Sequence, residues 1–376
     1  MTQRILIAPD SFKGSLTAVR FCQVATDLIQ KYWPQVEVIQ RPLSDGGEGF
    51  VEALTYCGKA KAKTVETQDP IGRTIKAQFG WQAETKTAIV EMAQASGLPL
   101  LKPQERDPIH ASTFGTGQVI QTALDLGAKR IILGLGGSAT NDGGAGALQA
   151  LGIELLDAHN QPIAPGAQGL MQLAKIGDIP AHLNQVEWHL ACDVTNPLLG
   201  EQGATAVYGP QKGVTPDTYP KFEQALAQFA WLIQAKTGQD ISTRPGAGAA
   251  GGMAGGFMGL LNAHTFSGFD LLAQAVELEQ TFEQGVDLVI TGEGSMDQQT
   301  RNGKLPMKLA QMAQRYDVPI LGICGQLNIE AEQMPEFIGL FSLLHCLTDE
   351  TDAMAHSEYW LRSTLYSALQ LYLHKS

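Results

Sequence analysis

The sequence predicts an α/β protein in which a parallel-sheet domain, built from both chain ends, carries a second, mixed α/β domain as an insertion. Short β-rich runs alternate with amphipathic helical patterns along most of the 376 residues, a length that suits two domains. Residues 73–92 break this alternation, and residues 286–323 resume it. We therefore place the first domain at residues 1–65 and 276–376 and the inserted domain at residues 66–275.

The predicted strands are short apolar runs. The first, RILIAP, spans residues 4–9, and similar runs follow at 36–39, 130–135, 186–191, 286–291 and 318–323. In RTIKAQFGWQAETKTAIVEM (residues 73–92), apolar and polar residues alternate on either side of the polar stretch Gln82–Lys86. That alternation predicts an antiparallel hairpin rather than a βαβ unit, and a mixed domain that starts near residue 65.

Helical periodicity occupies several of the intervals between these strands. Ser15 is the predicted N-cap of a helix that runs to about Trp33. Further amphipathic helices are predicted at 117–126, 217–236, 303–315 and 357–373. In the last of these, apolar residues recur at helical spacing from Leu361 to Leu373, so one face is expected to pack against a core.

Composition and charge limit the kinds of partner. Apolar residues make up 44% of the chain and charged residues 17%, with no apolar run long enough to span a membrane. The formal net charge of −12 disfavours nonspecific binding to nucleic acid. The five cysteines form no C-x-x-C pair, which is typical of reduced thiols in a cytoplasmic protein. Small molecules are the expected partners, and the oligomeric state is left open, a homo-oligomer included.

Acidic side chains recur where predicted strands end. In five segments an apolar run leads into a Gly-, Pro- or Ser-rich loop with a carboxylate: ILIAPDSFKGS (Asp10), VIQRPLSDGGEG (Asp45), RIILGLGGSATNDGG (Asp142), WHLACDVTNP (Asp193) and LVITGEGSMD (Glu293 and Asp297). Ordinary turns are also rich in Asp and Gly, which explains any one of these loops. Their recurrence favours a ligand site, because ligands bind beyond the carboxyl ends of strands in open α/β sheets.

Glycine-rich backbone beside carboxylates suits magnesium and polyphosphate. Backbone amides can hold phosphate oxygens, and glycine permits their close approach. The phosphates are predicted to bind to one loop, at Gly136, Gly137, Ser138, Gly143 and Gly144. Mg²⁺ prefers oxygen ligands, and a carboxylate can also accept a proton from an attacking hydroxyl. Asp142 and Asp193 are therefore the predicted metal ligands, and with Asp297 they are the predicted catalytic carboxylates.

Other polar residues complete the predicted site. Lys13 and Lys212 lie in tight Ser/Gly and Pro/Gly contexts, and each is predicted to contact an anion, Lys13 as a catalytic group and Lys212 in binding the cofactor. The residues predicted to bind substrate are Asp10, Ser11, Asp45 and Asn196. A solvated lysine, a helix cap or an Asx turn would explain the same residues without any ligand.

Two alternative functions stay open at this point. Gly134-x-Gly136-x-x-Ala139 follows a predicted strand and matches the permissive dinucleotide fingerprint, which would indicate an NAD-dependent oxidoreductase of a small hydroxy acid. The next turn, SATNDGG, is not typical of a helix start. A second match at residues 246–251 has no strand before it and favours close packing of small residues. A non-catalytic sensor of sugar acids would not need so many acids at loop ends.

Nine segments taken together resemble the bacterial glycerate kinase family of the single-chain type, the glycerate 2-kinases. They are APDSFKGSL (8–16), SDGGEGF (44–50), EMAQASGL (91–98), STFGTG (112–117), GLGGSATNDGGAGALQALG (134–152), CDVTNPLLG (192–200), YGPQKG (208–213), GAGAAGGM (246–253) and TGEGSMDQQTRNGK (291–304). Their joint occurrence in one order across nearly the whole chain is highly specific. One position departs from the family pattern, since Ser295 stands where the TGEG segment commonly carries arginine.

The resemblance implies transfer of the γ-phosphoryl group of ATP to a hydroxyl of D-glycerate, usually giving 2-phosphoglycerate. It also implies a flavodoxin-like domain formed by both chain ends and an inserted domain that resembles restriction endonucleases. We expect ATP and Mg²⁺ as cofactors, and a site in the cleft between the domains. The roles assigned above to individual residues are based on their chemistry and not on the family.

Overall fold

The structure is a computed structural model and describes residues 3–44, 46–344 and 349–373. The described chain forms two compact units. Unit 1 contains the described residues of Met1–Asp45, Glu52–Lys59 and Phe269–Ser376, and unit 2 contains Gly46–Val51 and Ala60–Gly268. Both ends of the chain therefore contribute to unit 1. Among the described residues, no helix combines the length and the apolar character that a membrane span requires.

The strands are numbered in chain order. Those of the described residues are β1 (Arg4–Ile7), β2 (Glu37–Gln40), β3 (Lys61–Gln68), β4 (Thr74–Gln82), β5 (Thr87–Glu91), β6 (Arg130–Gly134), β7 (Leu155–Leu156), β8 (Lys175–Ile176), β9 (Glu187–Ala191), β10 (His264–Phe266), β11 (Leu288–Met296), β12 (Ile320–Leu327) and β13 (Gly339–Ser342). The six apolar runs predicted to be strands correspond to β1, β2, β6, β9, β11 and β12, so these predictions are confirmed.

The α-helices are numbered in the same way. They are α1 (Ala18–Tyr32), α2 (Phe50–Tyr56), α3 (Ala93–Ser96), α4 (Phe114–Asp125), α5 (Ala145–Ala150), α6 (Ala167–Leu170), α7 (Ala204–Lys212), α8 (Tyr219–Thr237), α9 (Met253–Leu261), α10 (Gly268–Ala275), α11 (Leu278–Glu283), α12 (Gln298–Arg301), α13 (Leu305–Arg315), α14 (Glu350–Ala355) and α15 (Ser357–Leu373). The predicted amphipathic helices correspond to α4, α8, α13 and α15.

Unit 1 is built on a five-stranded parallel sheet with the strand order β13-β12-β11-β1-β2. In β1, Ile5 lies opposite Leu288 of β11 on one side and opposite Val38 of β2 on the other. The apolar faces of α1 and α15 share one core with these strands, through buried residues that include Phe21 and Leu365. Burying a side chain of this size stabilises the fold by roughly 1.5–3 kcal/mol. Because all the strands are parallel, their carboxyl ends meet at one edge.

Unit 2 is built on a six-stranded mixed sheet with the strand order β10-β9-β6-β5-β4-β3. Strands β3, β4 and β5 pair antiparallel, whereas β5, β6, β9 and β10 pair parallel. A separate two-stranded antiparallel sheet joins β7 and β8. The buried core of this unit includes Phe79, Leu133, Phe229 and Phe257. The predicted hairpin is confirmed, since Phe79 of β4 lies opposite Val90 of β5 in antiparallel register.

The predicted N-cap of the first helix, Ser15, is wrong, because a tight turn precedes the helix. Residues 12–16 form that turn, in which the Phe12 amide donates to the Leu16 carbonyl at 2.8 Å and the Ser15 amide donates to the Phe12 carbonyl at 2.9 Å. Helix α1 therefore cannot begin at Ser15. Its N-cap is Thr17, whose hydroxyl accepts the Arg20 amide at 3.2 Å and so satisfies one of the amides that the first turn leaves unpaired.

Strand β11 is longer than predicted. Its glycines indicated a loop after residue 291, yet the strand continues to Met296, with Glu293 opposite Cys324 and Ser295 opposite Gln326 of β12. A Cβ atom on Gly292 would lie 2.3 Å from the Ile323 carbonyl oxygen. The glycines therefore permit close approach of two strands, and Glu293 belongs to a strand rather than a loop.

Candidate active site

A cavity of about 320 Å³ lies at the carboxyl edge of the unit 1 sheet. The loop after β1 and the second half of β11 form much of its wall, and β12, α14 and the residue before α13 complete it. Three predicted site residues, Asp10, Ser11 and Lys13, line this cavity together. Glu293 and Lys304 also line it, although neither is among the residues predicted to form the site.

Backbone pairing fixes the acidic side of the cavity. The pairing of β1 with β11 continues beyond Ile7, because the Asp10 amide donates to the Gly292 carbonyl at 2.8 Å. The Asp10 Oδ1 accepts the Ser11 amide at 2.7 Å, and Glu293 Oε1 accepts the Thr300 hydroxyl at 2.6 Å. Asp10 and Glu293 are only 7% and 6% exposed. Two carboxylates are thus held in place, one just after β1 and one within the neighbouring strand β11.

The same cavity also has hydrogen-bonding groups and positive charge. Ser11 is buried, and its hydroxyl has no hydrogen-bond partner in the structure. A buried polar atom of this kind is normally satisfied, so it marks a place for a ligand or a water. Lys13 is exposed, and the Lys304 ammonium lies 3.9 Å from an oxygen of Asp297. Lysines beside buried carboxylates can offset the charge of an anionic ligand.

Asp297, predicted as a catalytic carboxylate, is the N-cap of α12. Its Oδ1 accepts the amides of Gln299 at 2.8 Å and Thr300 at 3.2 Å, and the Thr300 hydroxyl accepts the Asp297 amide at 3.1 Å. These reciprocal contacts form a capping box, which accounts for the residue structurally. Its catalytic role stays a prediction.

The glycine-rich loop after β6 has an accessible part and an enclosed part. Gly137 is exposed with φ +74°, and Gly136 is half-buried where a Cβ would lie 2.6 Å from Gly47 Cα. Ser138 is mostly buried. No helix begins at Ala139, because α5 starts only at residue 145, so the loop lacks the helix start that a dinucleotide fingerprint requires. Of the predicted phosphate ligands, Gly136 and Gly137 are the ones near solvent.

Gly143 and Gly144 are enclosed by apolar side chains. Both have positive φ, +64° and +81°, and a Cβ on Gly143 would lie 2.9 Å from an aromatic carbon of Phe229. On Gly144 it would lie 3.1 Å from Met253 Cα. Turn conformation and close packing account for both glycines, and their role in phosphate binding stays a prediction.

We expect Gly144→Val to destabilise unit 2 by about 2–4 kcal/mol, because a left-handed conformation and overpacking both oppose the side chain. The matched control is Gly127→Val, whose φ is also positive, +88°, but whose Cβ would have no atom within 4 Å. The melting temperatures of the two variants separate the cost of the left-handed backbone, which both share, from the cost of steric overlap, which only Gly144→Val has. A Gly144→Val protein that melts like the wild type and loses only ATP binding would favour the phosphate role instead.

Asp142 organises this loop from inside the core. It is fully buried, and its Oδ2 accepts the Thr113 amide at 2.9 Å and the Thr113 hydroxyl at 2.8 Å. The amides of Gly144 and Gly146 donate to its two oxygens at 3.1 and 3.3 Å. Burial raises the pKa of Asp142, and these donors oppose the rise. These contacts favour a structural carboxylate, and its roles as metal ligand and catalytic group stay predictions.

Lys212, predicted to contact an anion, lies inside unit 2. It is 1% exposed at the end of α7, and its ammonium donates to the Thr140 carbonyl at 2.7 Å. Burial lowers the pKa of Lys212 to about 7, while the attraction of Asp142 acts in the opposite direction. Its observed contact joins α7 to the glycine-rich loop, so binding to the cofactor stays a prediction.

Asp193 lies in the loop that follows β9, at the carboxyl end of that strand, and it is exposed. Asn196 lies in the same loop, but its side chain is held by other partners. The Tyr208 hydroxyl donates to Asn196 Oδ1 at 2.7 Å, and Asn196 Nδ2 donates to the Gln202 carbonyl at 2.9 Å. Asn196 thus shapes the loop that presents Asp193. Asp45, the remaining predicted site residue, lies outside the described residues.

Glu91 is a buried carboxylate at the carboxyl end of β5. Its Oε1 accepts the Val51 amide at 2.6 Å, and the Gly49 amide and the Gln94 side chain also donate to it. The residue ties segment 46–51, which follows Asp45 in sequence, to the sheet of unit 2. Burial is the largest cause that raises the pKa of Glu91 to about 7. Only its position in the EMAQASGL segment draws attention to Glu91 in the sequence.

The raised pKa of Glu91 predicts a pH-dependent stability. Between pH 4.5 and about 7 the folded chain keeps a proton that the unfolded chain releases, so stability should fall as pH rises through this window. The full effect is about 3 kcal/mol as an upper bound. Thermal melts of wild type and Glu91→Gln at pH 5 and pH 8 test this, since Gln retains an acceptor but does not titrate. A stability difference that is the same at both pH values would contradict the prediction.

The described residues contain no group of three or more His, Cys, Asp or Glu side chains arranged to hold a metal ion. Asp142 and Asp193, the predicted metal ligands, are therefore not part of such a group among the residues that the structure describes.

These features define an α/β protein with a cavity at the carboxyl edge of a parallel sheet, lined by buried carboxylates and by lysines. The chain belongs to the glycerate kinase family, whose model matches residues 5–373. It is 41% identical over 358 residues to the glycerate kinase of Halalkalibacterium halodurans, covering 94% of both chains. It is 40% identical over 327 residues to the glycerate 2-kinase of Escherichia coli K12, covering 86% of both. The crystal structure assigned as glycerate kinase 2 from Salmonella typhimurium LT2 is similar over 100% of both chains, with a TM-score of 0.85 and 39% identity.

Proposed function

We infer that this chain is an ATP-dependent glycerate kinase that transfers the γ-phosphoryl group of ATP to a hydroxyl of D-glycerate and gives 2-phospho-D-glycerate. The family match along residues 5–373 supports the reaction class, and the name glycerate 2-kinase of the E. coli relative supports the product. The observation that carries the proposal in the structure is the unit 1 cavity, where Lys13 and Lys304 face the carboxylates of Asp10 and Glu293.

The groups that line this cavity have tasks in phosphoryl transfer, and one task is assigned to Asp193, which does not line it. A glycerate hydroxyl oxygen forms a bond to the γ-phosphorus while the bond from that phosphorus to the bridging oxygen of ADP breaks. The hydroxyl proton passes to a carboxylate, for which we propose Asp193. Lys13 and Lys304 offset negative charge on the reacting phosphate, and the Ser11 hydroxyl is available to donate to substrate. Positioning and charge stabilisation are the main requirements of this reaction.

The donor set of the cavity fits Mg²⁺. This ion is usually held by one or two carboxylates together with phosphate oxygens and waters, and the cavity offers two buried carboxylates. Asp10 and Glu293 would hold the ion, and the ion would neutralise negative charge on the phosphates. The enclosed oxygens of Asp142 fit this task less well, because backbone amides and Thr113 already donate to them.

We also propose that the two compact units are the two domains of the family. The order β13-β12-β11-β1-β2 of unit 1 supports a flavodoxin-like fold, because the second strand in sequence lies outside the first and the remaining strands follow on the other side. The mixed sheet of unit 2 supports the inserted domain that resembles restriction endonucleases. These units differ from the limits predicted from the sequence, 1–65 with 276–376 and 66–275, at residues 46–51, 60–65 and 269–275.

Incubation of the purified chain with ATP, Mg²⁺ and D-glycerate tests the proposal, with the product identified by ³¹P NMR. We expect 2-phosphoglycerate, loss of turnover in excess EDTA, and recovery on addition of Mg²⁺. The 3-phospho isomer would overturn the product assignment, and undiminished turnover in EDTA would overturn the role of the metal. Consumption of NAD(H) with a hydroxy acid, without use of ATP, would favour the oxidoreductase instead.

A further inference from the structure

The unit 1 cavity has two chemically different walls. One wall is polar and carries Asp10, Ser11, Lys13, Glu293 and Lys304. The other wall is largely apolar and is formed by Leu343 and Leu344, which follow β13, and by Ala353 and Met354 of α14, although Glu350 of the same helix also lines the cavity. The two walls meet at the turn after β1, where a Cβ on Gly14 would lie 3.4 Å from the Met354 methyl carbon.

The apolar wall does not match glycerate. Each carbon of glycerate carries oxygen, so the molecule has no apolar face to bury against leucine and methionine side chains. A cavity of about 320 Å³ falls within the range of roughly 300–1,000 Å³ that drug-sized ligands occupy, and glycerate is far smaller than such ligands. A purine base is flat and largely apolar, and it would bury area against this wall.

The position of the cavity in the sheet also favours a nucleotide. Strands β1 and β11 are neighbours, and the chain continues from β1 to β2 on one side, whereas β12 and β13 follow β11 on the other. In open parallel sheets, the crevice at the carboxyl ends of strands where the order reverses is the place where nucleotides bind. The loop after β1 and the second half of β11 both line the cavity at this point.

We propose that the unit 1 cavity is the nucleotide subsite, an inference that rests on the proposed kinase function. The adenine base packs against the apolar wall of Leu343, Ala353 and Met354. The phosphates extend toward Lys13 and Lys304, where the buried carboxylates of Asp10 and Glu293 lie. Specificity for ATP therefore depends on α14, a helix that the sequence does not mark as part of a site.

Ala353→Trp is the main test, because Ala353 is 7% exposed and an indole there would fill the apolar half of the cavity. Its matched control is Ala355→Trp, the same substitution on an exposed residue of the same helix that does not line the cavity. We expect the Kd for ADP, measured by calorimetry, to rise about tenfold or more in Ala353→Trp. The KM for glycerate at saturating ATP should change little, and Ala355→Trp should bind ADP like the wild type.

Two further measurements test the proposal even if Ala353→Trp folds poorly. Met354 is 43% exposed, so Met354→Ala should fold and should weaken ADP by about three- to tenfold through lost apolar contact. Photolabelling of the wild type with 8-azido-ATP should modify the tryptic peptide of residues 316–362, which contains the apolar wall. Excess ADP should protect this peptide, and excess glycerate should not.

An increase in the KM for glycerate with an unchanged Kd for ADP would overturn the proposal and make this cavity the acceptor subsite. Photolabelling confined to peptides of unit 2 would overturn it as well. A wild type that binds ADP in this cavity but does not phosphorylate glycerate would overturn the proposed function, while the assignment of the nucleotide subsite would be supported.

Discussion

Asp10→Asn should lower kcat by about 10²–10³-fold with the fold retained. The Asp10 Oδ1 accepts the Ser11 amide at 2.7 Å, and the side-chain oxygen of Asn can keep that contact. The hydrogen bond from the Asp10 amide to the Gly292 carbonyl belongs to the backbone and is also kept. The variant therefore removes the negative charge that we assign to holding Mg²⁺. Kinetics over a range of Mg²⁺ concentrations should show a higher requirement for the ion, with partial recovery at excess.

The matched control for this variant is Asp287→Asn. Asp287 immediately precedes β11 at the opposite, amino edge of the same sheet, and its Oδ2 accepts the Arg4 amide at 2.7 Å. Because this carboxylate is far from the strand ends that line the cavity, its neutralisation should leave kcat within about threefold of wild type. If Asp10→Asn behaves in the same way, with an unchanged melting temperature, then Asp10 is a turn residue and holds no metal.

The apolar strands and the long helices could be predicted because burial determines their patterns. Strands such as β1 and β6 are runs of isoleucine and leucine in the middle of a sheet, and α15 shows a clear apolar stripe. Strand β3 could not be found in this way. Its sequence KAKTVETQ is mostly exposed at the edge of the unit 2 sheet, so its conformation depends on pairing with β4 rather than on burial.

The composition of the loops does not separate residues that bind a ligand from residues that shape the backbone. Glycine has at least three uses that look alike in sequence: contact with a ligand, positive φ, and close approach of two backbones. In β11, Gly292 serves the third use, and Gly144 combines the second with close packing against Met253. The same ambiguity applies to aspartate, since Asp297 caps a helix and Asp142 supports a loop. Only the tertiary contacts distinguish these two aspartates from Asp10, which lines a cavity.

Lys304 and the apolar wall of the cavity show a second limit of the sequence. Lys304 stands beside glycine in TRNGK and looks like a solvated loop lysine, and α14 has no distinctive motif. Lys304 and the residues of α14 line one cavity because the sheet, with its strand order β13-β12-β11-β1-β2, brings together segments that are distant in sequence. No local pattern encodes that order.

Asp193→Asn should lower kcat by about 10²–10⁴-fold if Asp193 accepts the hydroxyl proton, because Asn has no basic oxygen at neutral pH. Asp193 is exposed at the carboxyl end of β9, and its loop is held by Asn196 through Tyr208 and the Gln202 carbonyl. These contacts of Asn196 do not involve the Asp193 carboxylate. The loss should therefore appear in kcat, with little change in melting temperature.

Asp240→Asn provides the control for a turn aspartate in the same unit. The Asp240 Oδ1 accepts the Ser242 amide at 2.9 Å and the Ser242 hydroxyl at 2.6 Å, an Asx-type contact that Asn can reproduce. Its kcat should stay within about threefold of wild type. Should Asp193→Asn match Asp240→Asn in kcat while both variants keep the fold, Asp193 is a turn residue, and the proton passes to another carboxylate, for which Glu293 would be the next to test.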